Sequence, residues 1–176
     1  MEFKQFDPDP IPKVMRLLAS TLLLFLLSAC SEQVDTGPGE VRWDREICVR
    51  CAMAVSDHNY AAQVRRVIPG QHSKLYKFDD IGCAVIWLDE QSWKDDPLVE
   101  IWVTDYRTGE WIDARKSNYV GGKITPMDYG LGATSEAPGG QQLLNYAEAR
   151  AHIHKIEEKY QMHATPDKRH PNAAPE

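Results

Sequence analysis

Apolar and polar residues follow a strand pattern in residues 61–78, and a turn signal divides that stretch. Residues 61–68 have the composition of a β-strand and end at Pro69-Gly70, a dipeptide typical of turns. Residues 74–78 form a second short apolar stretch. The pattern therefore predicts a β-hairpin.

A helix and a third strand are expected after the hairpin. Asp79 or Asp80 can cap a helix, because their carboxylates accept hydrogen bonds from free backbone N–H groups. Residues 98–106 are apolar on both faces, which is typical of a central strand. The apolar positions of the predicted helix recur at helical spacing, namely Ile81, Ala84, Val85 and Leu88.

The second half of the chain restarts with short strands and ends in a helix. The turn at Thr108-Gly109 separates it from the first half, and a helical stripe occupies residues 147–160. The whole predicts an α+β fold with modules at residues 41–107 and 108–162 and a disordered tail at 163–176. Its strands are expected at residues 110–114, continuing in 117–120, then at 129–134 and 142–146.

The first 29 residues have the features of an exported lipoprotein's signal peptide. A basic flank at Lys13 and Arg16 precedes an apolar run over residues 17–27, which is too short to span a bilayer well. Leu-Ser-Ala before Cys30 is similar to the bacterial lipobox, which implies cleavage there and a lipid on Cys30.

The signal also suggests where the mature chain is held. Met15 is an alternative start, since residues 15–30 alone make a complete signal. Residues 30–40 would form a lipidated, flexible tether on the periplasmic side of a membrane, and Ser31 weakly favours the outer membrane.

Charge and motifs argue against two large functional classes. The formal net charge is -6, and no basic cluster is present, so nucleic acid is not an expected partner. Nucleophile elbows, phosphate-binding loops and metalloprotease motifs are also missing from the sequence. We therefore expect a binding protein rather than an enzyme.

Soft sulfur donors are concentrated in residues 48–53. Cys48, Cys51 and Met53 place two thiols and a thioether within one short segment, and soft sulfur ligands select Cu(I). Met127 is a further candidate, because Pro126 and Gly130 constrain its loop. His58 is close enough in sequence to add a nitrogen, although a lone histidine is usually a surface residue.

Other interpretations of the cysteines stay open at this stage. Cys48 and Cys51 can form a disulfide in an oxidising compartment, or act as a thioredoxin-like Cys-x-x-Cys pair opposite Thr125-Pro126. Zinc is disfavoured, because neither a second cysteine pair nor His-x-x-x-His follows. Cys83 lies on the apolar side of the predicted helix and is assigned to the core.

Taken together, these motifs resemble the NosL family of nitrous oxide reductase accessory lipoproteins. The resemblance covers residues 41–156 and implies two ββαβ modules. It also implies a Cu(I) chaperone that supplies nitrous oxide reductase or its maturation proteins, with Cys48, Cys51, Met53 and Met127 as the metal residues. The matching segments are the lipobox Cys30, the Cys48-x-x-Cys51-x-Met53 motif, Phe78 to Cys83, Val103 to Tyr106, and Thr125 to Leu131.

Two positions depart from the family pattern. Ala52 stands where glycine is usual, which matters only if the backbone there requires a positive φ. Residues 135–140 stand where a helix of the second module is expected, so that module is predicted to be shortened.

Overall fold

The computed structural model describes residues 35–136, 139–140 and 142–164. The predicted signal peptide, the predicted lipid attachment at Cys30, residues 31–34 of the predicted tether and residues 165–176 of the predicted tail lie outside the described residues. None of the helices in the described ranges combines the length and apolarity needed to cross a bilayer.

The first half of the described chain forms a four-stranded antiparallel sheet. Strands β1 and β2 make the expected hairpin, and helix α1 connects β2 to β3. The order across the sheet is β2-β1-β3-β4. The elements are β1 (Ala62–Arg66), β2 (Lys74–Phe78), α1 (Ile81–Asp89), β3 (Val99–Thr104) and β4 (Trp111–Asp113).

The second half forms a smaller sheet and a long helix. Its three strands are ordered β6-β5-β7, and helix α2 follows the last of them. These elements are β5 (Asn118–Val120), β6 (Gly132–Thr134), β7 (Leu143–Leu144) and α2 (Tyr146–Ala164).

Helix α1 begins and packs as its sequence predicts. Asp80 is the N-cap, and its side chain accepts a hydrogen bond from the Gly82 N–H. Five of its apolar side chains are buried in the core, and the Trp87 ring packs at a tilt against Tyr76 and Phe78 of β2, at ring distances of 4.5 and 5.3 Å. This packing holds the end of β2 against α1.

The α+β fold class is confirmed, and the second half differs from the expected pattern in two ways. β4 pairs with β3 in the first sheet, whereas residues 110–114 were expected to begin the second module. β5 is not a continuation of β4, because it pairs with β6 and β7 in the other sheet. The module boundary itself stays a prediction.

Asp105 connects the two sheets. It makes an isolated parallel bridge with Ala133, just beyond the end of β3. One carboxylate oxygen accepts bonds from the Thr134 hydroxyl and from Ser135, whose N–H lies 2.9 Å away. The other accepts the Arg107 N–H at 2.9 Å. Burial by itself would raise the pKa of Asp105, but these hydrogen bonds lower it below its usual value.

We predict that Asp105→Asn lowers the free energy of unfolding by about 1–3 kcal/mol at pH 7. A depressed carboxylate pKa gives stability that is fully present above the unfolded-state pKa of about 3.9 and is lost as pH falls through the folded-state value. The difference in the free energy of unfolding between wild type and variant should therefore shrink below about pH 4.

Urea denaturation at pH 7 and pH 3 measures this difference. The matched control is Asp113→Asn, because Asp113 is a partly exposed carboxylate that accepts the Arg115 N–H. Equal losses for Asp105→Asn at both pH values would contradict the assignment.

Candidate metal centre

Cys48 and Cys51 lie in a tight turn that we call the thiol turn (residues 47–54). Ile47 and Ala54 pair across its base. Inside it, Cys48 N–H donates to the Met53 carbonyl at 2.8 Å, and Ala52 N–H donates to the Cys48 carbonyl at 3.0 Å. These bonds turn both cysteine side chains toward the protein, so Cys48 is fully buried and Cys51 half-buried.

The thiol turn is held against the edge of the first sheet. Val49 N–H donates to the Lys77 carbonyl of β2 at 3.0 Å. Asp79 and Cys83 lie just beyond that point in the chain, one between β2 and α1 and one in the first turn of α1. The edge of β2 therefore brings the start of α1 next to the thiol turn.

Four ligand atoms converge at this junction. One Sγ each from Cys48, Cys51 and Cys83 and one carboxylate oxygen from Asp79 all lie within 4.8 Å of one another. We call these four residues the Cys₃Asp cluster. All three cysteines are free thiols. The arrangement gives three soft donors and one hard donor around a common point.

Hydrogen bonding and burial give the three thiols different acidities. A hydrogen bond from the Cys83 thiol lowers the pKa of Cys48, and the same bond raises the pKa of Cys83. Burial raises the pKa of Cys51. Cys48 is therefore the most acidic of the three thiols, and the ligand form of a cysteine is the thiolate.

Asp79 provides an independent indication that the cluster binds a cation. Its side chain is only 1% exposed, and Oδ2 accepts a bond from the Cys51 thiol at 3.2 Å. Oδ1 is buried and has no hydrogen-bond partner within the described residues, a rare and costly state for a carboxylate. A metal ion held by the neighbouring sulfurs would satisfy it, so the donor set fits a soft cation.

Asp80 connects the cluster to the loop that carries Met127. Its Oδ2 accepts the Thr125 hydroxyl at 2.5 Å and the Met127 N–H at 3.3 Å. The Met127 side chain is half-buried against the core. The loop is thus fixed beside the start of α1, next to Asp79.

The predicted site residues lie in different surroundings in the structure. Cys48 and Cys51 are brought together in the cluster, whereas Met53 is 48% exposed on the outer side of the thiol turn. His58 is exposed and stacks on Trp43 at a ring distance of 3.9 Å, and it is not part of the Cys₃Asp cluster. The assignment of Met53 and Met127 as ligands remains a prediction.

Sequence reasoning missed Asp79 and Cys83 as candidate ligands. Cys83 is fully buried, as expected of a core residue, yet its Sγ belongs to the cluster. One signal was available: if Asp80 caps the helix, Asp79 is left as a buried carboxylate without a capping role. This signal indicates a site at the start of α1, but it does not indicate that the thiol turn lies beside it.

Fold and cluster together define a small α+β protein whose buried cysteine and aspartate side chains can hold a soft metal ion. The NosL family model matches residues 42–159, so the chain belongs to the NosL family. Membership confirms the resemblance seen in the motifs and supports a copper-binding accessory role. No curated protein matches the chain.

Ala52 has a backbone conformation that favours glycine, with φ at 61°. We predict that Ala52→Gly stabilises the protein by about 1 kcal/mol, because glycine removes the clash of a Cβ in the left-handed region. Thermal melting measures the effect. The control is Ala54→Gly, which has no positive φ and should lose about 0.5–1 kcal/mol. Destabilisation by both variants would contradict the prediction.

Proposed function

We propose that this chain is a membrane-anchored Cu(I) chaperone that supplies copper for the centres of nitrous oxide reductase. The observation that carries the proposal is the Cys₃Asp cluster in a member of the NosL family. Three sulfurs within 4.8 Å suit a soft monovalent ion that accepts two or three ligands. Met53 and Met127 are the candidates for additional thioether ligands.

The location of the cluster supports release as well as binding. Cys51 is only half-buried, so an incoming ligand can reach the metal from its side. The surrounding thiol turn exposes Ile47, Val49 and Met53, three large apolar side chains at 46–54% exposure. Apolar side chains around an accessible thiol suit a transient contact with another protein, across which copper can move from ligand to ligand.

Anchoring is the remaining part of the proposal. The lipobox at Cys30 would attach the chain to the periplasmic side of a bacterial membrane, with the outer membrane favoured by Ser31. A lipidated N-terminus holds firmly when it carries several acyl chains. The folded domain could then search for partners at the membrane surface on its tether.

Anaerobic Cu(I) titration of the reduced protein against a competing chelator tests the binding. We expect one Cu(I) per chain, and a loss of affinity on the order of 100-fold or more in Cys48→Ser, Cys51→Ser and Cys83→Ser. Asp79→Asn should lose about tenfold, because it keeps the shape and removes the charge. Met53→Leu tests whether the Met53 thioether is an additional ligand.

Two controls make the titration decisive. Met162→Leu changes another exposed methionine, near the end of α2, and should leave the affinity unchanged. Thermal melting of each variant shows whether the fold persists. Failure of the wild-type protein to bind Cu(I), or full affinity in all three folded cysteine variants, would refute the proposal.

Transfer is predicted to depend on the exposed part of the thiol turn. The double variant Ile47→Ser and Val49→Ser should bind Cu(I) normally and load copper-free nitrous oxide reductase several-fold more slowly, because it weakens the transient contact. Leu98→Ser is the matched control, since Leu98 is 43% exposed outside the turn. Equal transfer rates for both variants would argue against this surface. Copper content of the acceptor over time is the readout.

Thiol-disulfide exchange is a second candidate function, favoured by one observation. Cys48 and Cys51 are free thiols in one turn, and Cys51 is only half-buried, so a disulfide substrate can reach its thiol. Reduction of a model disulfide substrate distinguishes the two functions. Turnover lost in Cys48→Ser, in a protein that does not bind Cu(I), would favour exchange.

A further inference from the structure

Arg50 lies inside the thiol turn, between Cys48 and Cys51, and its side chain reaches the other half of the protein. Its guanidinium donates to the Tyr129 hydroxyl at 2.9 Å and to Glu157 Oε1 at 2.6 Å. Tyr129 in turn donates to Glu157 Oε2 at 2.6 Å. The three side chains form a closed network from the thiol turn to the loop before β6 and to helix α2.

This network is largely shielded from water. The side chains of Arg50 and Glu157 are 21% and 15% exposed. Tyr129 is buried against Gly82 of α1, where an added Cβ would lie 2.1 Å from the ring. Charges in such surroundings are screened less than surface charges, so their interactions reach further.

Arg50 is also an electrostatic neighbour of the cluster. Its guanidinium is a permanent cation, because arginine is not deprotonated in proteins. Its partner Tyr129 packs on Gly82, the residue before Cys83, so the cation lies beside the cluster. With its ligands ionised, the Cys₃Asp cluster would carry up to four negative charges, and one Cu(I) neutralises only one of them.

We propose that Arg50 provides the counter-charge of the metal centre, and that Glu157 limits its effect by pairing with the same guanidinium. Arg50 is a positioning residue that acts through the thiolates rather than a ligand. The inference rests on the proposed Cu(I) binding, and it adds that the affinity is set in part by an ion pair with helix α2.

A purely structural role predicts a different outcome. If the network only held the thiol turn in place, removing either partner would loosen the turn and weaken binding. If Arg50 acts by its charge, removing the Glu157 carboxylate breaks the ion pair, and the Arg50 guanidinium then acts more strongly on the cluster. The same change also removes a nearby negative charge. The two variants should then change the Cu(I) affinity in opposite directions.

Chelator competition with Cu(I) under anaerobic conditions tests this difference in the full folded chain. We expect Arg50→Gln to bind Cu(I) about 10- to 100-fold more weakly than wild type, and Glu157→Gln to bind it about 3- to 10-fold more tightly. Arg50→Lys should recover part of the loss, because it restores the charge without the paired hydrogen bonds. Tyr129→Phe should change the affinity by less than Arg50→Gln.

The matched control is Arg107→Gln, which removes a cation from the exposed Arg107–Glu136 pair and should leave the Cu(I) affinity unchanged. Melting temperatures show whether each variant is folded. Weaker binding in a folded Glu157→Gln, or an equal loss in Arg107→Gln and Arg50→Gln, would overturn this inference while Cu(I) binding stands. A wild-type protein that binds no Cu(I) would overturn the proposed function instead.

Discussion

The metal centre depends on the hydrogen bonds that the Asp80 carboxylate accepts. One oxygen caps helix α1 through the Gly82 N–H at 2.9 Å, and the other accepts Thr125 and Met127. Burial raises the pKa of Asp80 to about 6, although Thr125, Gly82 and Met127 all donate to its ionised form. One buried side chain thus starts the helix that carries Cys83 and fixes the loop that carries Met127.

Its neighbour Asp79 has the opposite role. Both carboxylates are almost completely buried, but the oxygens of Asp80 are satisfied by the protein, whereas Oδ1 of Asp79 has no donor in the part of the chain that the structure describes. Burying a carboxylate oxygen that has no hydrogen-bond donor costs several kcal/mol. This cost is on the order of the free energy lost when a hydrogen bond to a charged group is removed. Such a cost is understandable at a binding site, where a cation supplies the missing interaction.

Local sequence patterns predicted the local structure well. β2 was expected at its observed residues, α1 was expected with its cap, and β3 was expected in the centre of a sheet. Residues 117–120 were expected to continue the strand at 110–114, and this was wrong because strand pairing is non-local. β4 pairs with β3, whereas β5 pairs with β6 and β7 in the other sheet. Asp105, which joins the two sheets, gave no sign of that role in the sequence.

The metal centre shows the same division between local and non-local information. Cys48 and Cys51 were recognisable from their spacing, since both lie in one turn. Cys83 was not, because an apolar helix face explains a buried cysteine equally well until the Val49–Lys77 hydrogen bond brings the turn beside the helix. The family resemblance pointed to Phe78 to Cys83 as a motif, but only the fold explains why that motif contains both a carboxylate and a thiol.

The proposed chaperone must hold its metal ion and must also release it. The structure places the residues suited to these two tasks in different positions. Cys48, Cys83 and Asp79 are buried and held by β2 and α1, so these donors are fixed before a metal arrives. Cys51 and Met53 lie on the accessible side of a turn that includes a left-handed alanine and ends in a single bridge pair. In the proposed chaperone function, the buried donors would hold the metal ion and the accessible residues would exchange it. The Arg50 ion pair connects this turn to helix α2.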